Sequence, residues 1–297
     1  MTATIFSLSV LLAGCTAEES KSGYEPDKTY RFTILHTNDH HDSFWQNHDS
    51  QWDMSARKAL IDDVRSKVEA EGGRVLLISG GDINTRASNQ GHEHANSDLE
   101  EMNLLAYNAM AVGRHEFTNS IEVLRQQQEL ADFPFLSANI FSAETGHPLF
   151  DAYKLFNLDG LSLAIMGLTT DTRLNNGSHE FIRGIDIRSP VTSLESLVPK
   201  LHEQADIIIV TSNFWHCQDE HDRVLETSQH ALPEIIEGVD IIVGGFSTAS
   251  LPKRSKYKDT HILKTRDRGR EIGRADFEFR NGELELVNYQ LIPVNMD

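Results

Sequence analysis

Arg74–Asp82 reads RVLLISGGD, an apolar run that stops at two glycines and a carboxylate. It is too short for a helix and closed by turn residues, so it reads as a strand covered on both faces. Open α/β sheets place their ligands just past strand C-termini, which is where Asp82 stands. The same arrangement recurs on either side. Phe32–His36 is a strand that runs into Asn38-Asp39-His40-His41, and Met110–Val112 is a brief strand that runs into Gly113-Arg114-His115-Glu116. Carboxylates and imidazoles from successive strand ends can converge on one metal, because oxygen and nitrogen donors suit divalent ions.

Outward from these three strands, short apolar runs alternate with amphipathic stretches. The spacing predicts helices over Met54–Glu69, Asp98–Ala109, Ser120–Leu130 and Val191–Glu203, the last with Pro199 near its end. Phe135–Ile140 and Leu161–Leu168 read as strands flanking the turn residues Glu144–Pro148. Ala205–Thr211 and Val239–Gly244 are continuous apolar runs of the kind found in interior strands. Gly273–Arg280, Asn281-Gly282 and Glu283–Pro293 form a hairpin, the Asn-Gly dipeptide supplying the turn. The expected fold class is α/β: one sandwich domain, with interior strands and helices outside.

The 297 residues carry 27 basic and 45 acidic side chains, a formal net charge of −18. Non-specific nucleic-acid binding needs clustered Lys and Arg, so no nucleic-acid partner is expected. One stretch runs against the general acidity. Lys253–Arg274 holds nine basic and three acidic residues. It reads either as a solvated loop leading into a strand or as a patch for an anionic ligand or protein partner. Two cysteines exclude a disulfide framework.

Ile5–Ala13 is a short apolar run leading into Leu12-Ala13-Gly14-Cys15, which resembles a bacterial lipobox. Residues 1–15 are therefore expected to be a lipoprotein signal peptide with Cys15 as the lipidated residue. The other reading is a frayed apolar N-terminus with an incidental cysteine. Met1–Phe6 lacks Lys and Arg, the one feature of such a signal that is missing. Thr16 follows the cysteine, and by resemblance this favours the outer membrane, facing the periplasm. Several acyl chains on Cys15 would hold the protein there stably. Residues 16–29 are polar, contain Gly23 and Pro26, and read as a tether ahead of a domain over 30–297.

LHTNDHH (Leu35–His41), LLISGGDINT (Leu76–Thr85), GRHEF (Gly113–Phe117), FLSANI (Phe135–Ile140), GLTT (Gly167–Thr170), IVGG (Ile242–Gly245) and the C-terminal hairpin together resemble the bacterial periplasmic 5′-nucleotidase/UDP-sugar hydrolase family of calcineurin-like metallophosphoesterases. The resemblance implies a single domain built as a two-layer β-sandwich flanked by helices, and a dinuclear metal centre that activates water against a phosphate ester. It matches Asp39 and His41 to ligands of the first metal, Asp82 to the carboxylate bridging both, and His115 to the histidine that stabilises the transition state. It also exposes departures. Arg114 stands where the family has an asparagine ligand, Asn213 and Phe246 where it has histidines, and Thr248 at a further ligand position. Thr118 takes the place of the aspartate that orients the catalytic histidine. Three of seven ligand positions remain. The family's C-terminal nucleoside-binding domain has no counterpart in these residues.

Phenylalanine cannot coordinate a cation, an amide lacks the imidazole nitrogen, and a guanidinium repels a divalent ion. The second metal site is thus expected to be lost. Arg114 is expected to substitute for that metal by pairing with Asp82 or Asp39. For Asp39, His41 and Asp82 two outcomes stand open: a single weakly held divalent ion such as zinc or manganese, or a metal-free hydrogen-bonded network. The resulting expectation is a catalytically impaired relative that binds a ligand or partner. The alternative is a reduced-site metal-dependent phosphoesterase acting on nucleotides or other phosphate esters.

Overall fold

A computed structural model describes residues 23–40, 54–84, 91–118, 120–170, 183–213, 237–244, 255–257, 259–266 and 269–294. β1 (Tyr30–Thr37) and β2 (Arg74–Ser79) pair in parallel, Ile34 opposite Leu76 and His36 opposite Ile78. The sheet continues in parallel through β3 (Ala109–Ala111) to β4 (Phe135–Leu136). On the other side of β1 lie the antiparallel strands β13 (Glu271–Arg280) and β14 (Glu283–Pro293), which give the order β14-β13-β1-β2-β3-β4. The second sheet has the order β11-β12-β10-β9-β7-β6. Its strands are β6 (Tyr153–Leu158), β7 (Leu161–Thr169), β9 (Ile207–Asn213), β10 (Ile241–Gly244), β11 (Ser255–Tyr257) and β12 (Thr260–Lys264). A separate antiparallel ribbon joins β5 (Ile140–Ser142) to β8 (Ile185–Ile187).

The two large sheets pack face to face. Ile34, Leu76, Ile78 and Phe277 of the first meet Leu163, Ile165, Ile207, Ile209, Val243 and Leu263 of the second. Because side chains alternate along a strand, the intervening residues form two outer layers. Leu35, Leu77, Met110 and Val112 lie under α1 (Met54–Ala70), α2 (Gly91–Leu104) and α3 (Ile121–Leu130). Ala164, Met166, Ile208, Val210 and Ile242 lie under α4 (Pro190–Leu201). The runs in β7 and β9 are buried at every position, which accounts for their unbroken apolar character. α4 begins with Pro190, whose missing N–H costs nothing in the first turn. The Ser189 side chain accepts from Thr192 N, and Pro199 is accommodated in the last turn.

The elements differ from the expectation in four places. The helix expected over Asp98–Ala109 is α2, which ends at Leu104. Asn108 is already committed to β2, its N–H donating to Leu77 O at 2.8 Å and its Oδ1 accepting Leu77 N at 2.7 Å. The strand expected over Phe135–Ile140 is broken between β4 and β5. Ser137 and Asn139 there are buried and bond instead to Thr169 and to the Arg188 carbonyl. The stretch Lys253–Arg274 contains β11 and β12 rather than a loop. The last stretch is Gly23–Thr29, within the expected tether, which lies against the domain. Tyr24 meets Phe279 edge-on, and Pro26 O accepts from Asn281 N. Among the described residues no helix is long and apolar enough to cross a membrane. Cys15 and the rest of residues 1–22 lie outside the described residues.

Candidate active site

The parallel strands β1, β2, β3, β9 and β10 all end at the same edge of the sandwich, so the residues after them converge. Asp39 and Asp82 both occupy the left-handed backbone region, with φ of 48° and 55°. Non-glycine residues take that conformation when surrounding contacts impose it. Here Asp39 N donates to Gly81 O at 3.0 Å and Gly80 N donates to Thr37 O at 2.9 Å, which locks the two turns together. Both aspartates are buried.

Glu116 sets the turn that carries Asp82. It is fully buried, and its Oε2 accepts the N–H groups of Asp82 (3.1 Å) and Gly113 (2.5 Å). Its Oε1 accepts those of Ile83 (2.8 Å) and Asn84 (3.4 Å). Burial pushes the Glu116 carboxyl up to about 7, and the charge of Asp82 pushes the same way against the backbone donors. Gly113 is forced by this packing. A Cβ there would lie 2.2 Å from Asp82 Oδ1 and 2.8 Å from Glu116 Oε2. Behind Asp82, the buried amides of Asn84 and Gln127 exchange two hydrogen bonds of 3.0 and 2.9 Å.

The carboxylate of Asp82 accepts twice from His115, at Oδ1 from the backbone N–H and at Oδ2 from Nδ1, both at 2.8 Å. An ionised carboxylate has only acceptors, so Nδ1 carries the proton in this contact. His115 keeps 22% of its side-chain surface exposed. Asp39 is approached by two amides. The Asn38 side-chain NH2 donates to Oδ2, and the Asn213 NH2 lies 3.4 Å from both Oδ1 of Asp39 and the Gly80 carbonyl. Two acceptors on one side of Asn213 fix its orientation, because a flipped amide would set oxygen against oxygen.

The site residues named from sequence are placed unevenly. Asp39, Asp82, His115 and Asn213 come together at the strand ends. Arg114 sits half-buried at the start of the short 3₁₀ turn His115–Thr118, its carbonyl accepting from Phe117 N. The Asp82 carboxylate is in contact with His115, whose Nδ1 lies 2.8 Å from Oδ2. His41, Phe246, Thr248 and the side chain of Thr118 lie outside the described residues. Within Lys253–Arg274, the described cations differ in their surroundings. Lys264 is buried, Arg266 lies 3.8 Å from Glu271, Arg274 lies 2.9 Å from Asp276, and Arg270 is exposed. Sequence reasoning gave no role to Glu116, although it stands in the GRHEF run, and none to Asn38, which precedes the aspartate it binds.

The described donors do not fit a two-metal centre. A metal needs lone pairs, and at Asp39 Asn213 presents N–H. Both oxygens of Asp82 accept N–H groups of a single residue, which leaves a further lone pair on each. Among the described residues no three His, Cys, Asp or Glu side chains are grouped to hold a metal.

The chain is 40% identical over 99% of its length to the 5′-nucleotidase of Vibrio vulnificus, and 42% identical over 96% to that of Vibrio cholerae. It is 40% identical over 98% of its length to the protein UshA of Escherichia coli. It belongs to the 5′-nucleotidase/UshA family. It spans 55–57% of the length of these family members. No family model matches the chain. Among solved structures, the fold resembles a putative 5′-nucleotidase from Staphylococcus aureus, with a TM-score of 0.76 and 20% identity over 90% of this chain and 55% of that one. It also resembles the Thermus thermophilus sulfate thiohydrolase SoxB, with a TM-score of 0.74 and 21% identity over 91% of this chain and 58% of that one. The calcineurin-like α/β sandwich read from the strand-end motifs is therefore the fold of the 5′-nucleotidase/UshA family member described here.

Proposed function

We propose that this chain is a catalytically impaired member of the 5′-nucleotidase/UshA family that binds a phosphate-bearing ligand or a partner protein instead of turning an ester over. One observation carries the reading. At the end of β9, Asn213 turns an amide N–H toward Asp39 and the Gly80 carbonyl, where the family's chemistry calls for a metal-ligating nitrogen lone pair. An N–H group neutralises part of the carboxylate's field and leaves no coordination position there. Asp39 and Asp82 then act as hydrogen-bond acceptors that hold the strand ends. Losing the electrostatic stabilisation that two metals give to a phosphoryl transition state lowers turnover by orders of magnitude.

The lipobox-like Leu12–Cys15 supports a location at the bacterial envelope, anchored through Cys15 and facing the periplasm. The alternative, a reduced phosphoesterase using one weakly held divalent ion at Asp39, His41 and Asp82, draws on the survival of both aspartates at the strand ends.

Metal titration by calorimetry, with elemental analysis of the protein purified from Thr16 onward, separates the readings. The proposal expects no stoichiometric zinc or manganese in the natural chain. It expects metal uptake once Arg114→Asn, Asn213→His, Phe246→His and Thr248→Gln are combined. One bound metal per chain, with phosphate release abolished by Asp82→Ala, overturns it.

A further inference from the structure

His115 has a new orienting partner. By the family resemblance, the residue four positions after Arg114 is an aspartate that orients the histidine, and here that position is Thr118. The structure nevertheless holds the imidazole through a carboxylate, with Nδ1 2.8 Å from Asp82 Oδ2. The same carboxylate takes the His115 backbone N–H at 2.8 Å through Oδ1, so main chain and ring are gripped together. Asp82 is itself rigid. Its side chain is fully buried, its backbone is in the left-handed region, and its N–H is tied to Glu116 at 3.1 Å. A carboxylate fixed this way imposes one tautomer on a neutral imidazole, Nδ1–H toward Asp82 and the Nε2 lone pair away from it.

We propose that Asp82 is the positioning residue of His115, taking over the role left vacant at Thr118. The carboxylate grips ring and main chain at once, with one hydrogen bond on each oxygen. The idea rests on the reading of a centre without a metal bridge, but the two fail differently. The tautomer of His115 tests the pairing, and the response to metal tests that reading.

The experiment is nitrogen-15 NMR of the full chain with labelled histidine, His115 being assigned by the signal lost in His115→Gln. The expected result is the Nδ1–H form of His115, unchanged by chelator or by stoichiometric zinc or magnesium. In Asp82→Asn the preference for the Nδ1–H form is expected to disappear. Adding Thr118→Asp to that variant is expected to restore it. A natural chain whose His115 is the Nε2–H tautomer overturns the pairing whatever becomes of the variants. An Nδ1–H signal that shifts on addition of one equivalent of zinc or magnesium leaves the pairing standing and overturns the metal-free reading of the site.

Discussion

Glu116 lies beneath Asp82, its Oε2 accepting the Asp82 N–H at 3.1 Å while Oε1 accepts Ile83 N–H at 2.8 Å. The same carboxylate takes the N–H of Gly113, so one side chain joins the turns after β2 and β3. Without it those buried donors have no acceptor, and an orphaned buried polar group costs about 1–3 kcal/mol. Glu116→Ala is expected to lower unfolding stability by about 3 kcal/mol or more in urea titrations. Glu116→Gln should lose nearly as much, because its NH2 would face N–H groups. A loss below about 0.5 kcal/mol in both would show that the turns stand without it.

The glycine before Arg114 is expected to be irreplaceable for a steric reason. In Gly113→Ala the new methyl would lie 2.2 Å from Asp82 Oδ1 and 2.8 Å from Asp82 N. Gly184 serves as a comparison: its φ is 83°, but a Cβ there meets nothing within 4 Å. Gly184→Ala should cost about 1 kcal/mol of backbone strain, and Gly113→Ala several times that. Thermal melts of the two variants side by side check the ratio. Equal losses would mean that Asp82 can move aside.

These two positions show how much of the molecule was legible in the sequence. RVLLISGGD and LHTNDHH fix strand and ligand-bearing turn together, because a buried parallel strand is written as an unbroken apolar run. That was enough for the sandwich and for the meeting of Asp39, Asp82, His115 and Asn213. β12 was not legible, since THILK ends in a lysine and is set among charges, yet all five of its residues are buried. The break at Ser137–Asn139 was equally hidden, because it depends on partners about thirty residues away. The partner of His115 could not be read either. Spacing puts residues at a strand end, but which carboxylate a ring selects is decided by side-chain directions.

His36 gives the protein a defined sensitivity to acid. The ring is completely buried, stacks on Tyr289 at 6.0 Å and places Nε2 3.3 Å from the Tyr289 hydroxyl. Burial lowers its pKa to about 3 from an ordinary 6.5. Between those values the unfolded chain binds a proton that the folded chain refuses. Stability from this group is therefore complete above about pH 6.5 and declines as pH falls toward 3, by up to about 1.4 kcal/mol per unit. His36→Phe should flatten the pH dependence of urea stability below pH 6.5 relative to the natural chain. Parallel curves would assign the acid sensitivity elsewhere.

The amide pair behind Asp82 is expected to behave as a unit. Removing either side chain takes two hydrogen bonds from the buried amide of the other, whereas removing both leaves a cavity without that imbalance. Asn84→Ala and Gln127→Ala should each cost about 2–3 kcal/mol, and the double variant clearly less than their sum. A double-mutant cycle in denaturant that closes additively would contradict the coupling.

The most direct test of the account is phosphate release from a nucleoside monophosphate, measured with saturating zinc or manganese beside the Vibrio cholerae 5′-nucleotidase, to which this chain is 42% identical. Losing the donors that stabilise a transition state costs about a hundred- to a thousandfold each, so turnover at least about a thousandfold below that relative is predicted. Turnover within tenfold of it, abolished by Asp82→Ala, would contradict the account.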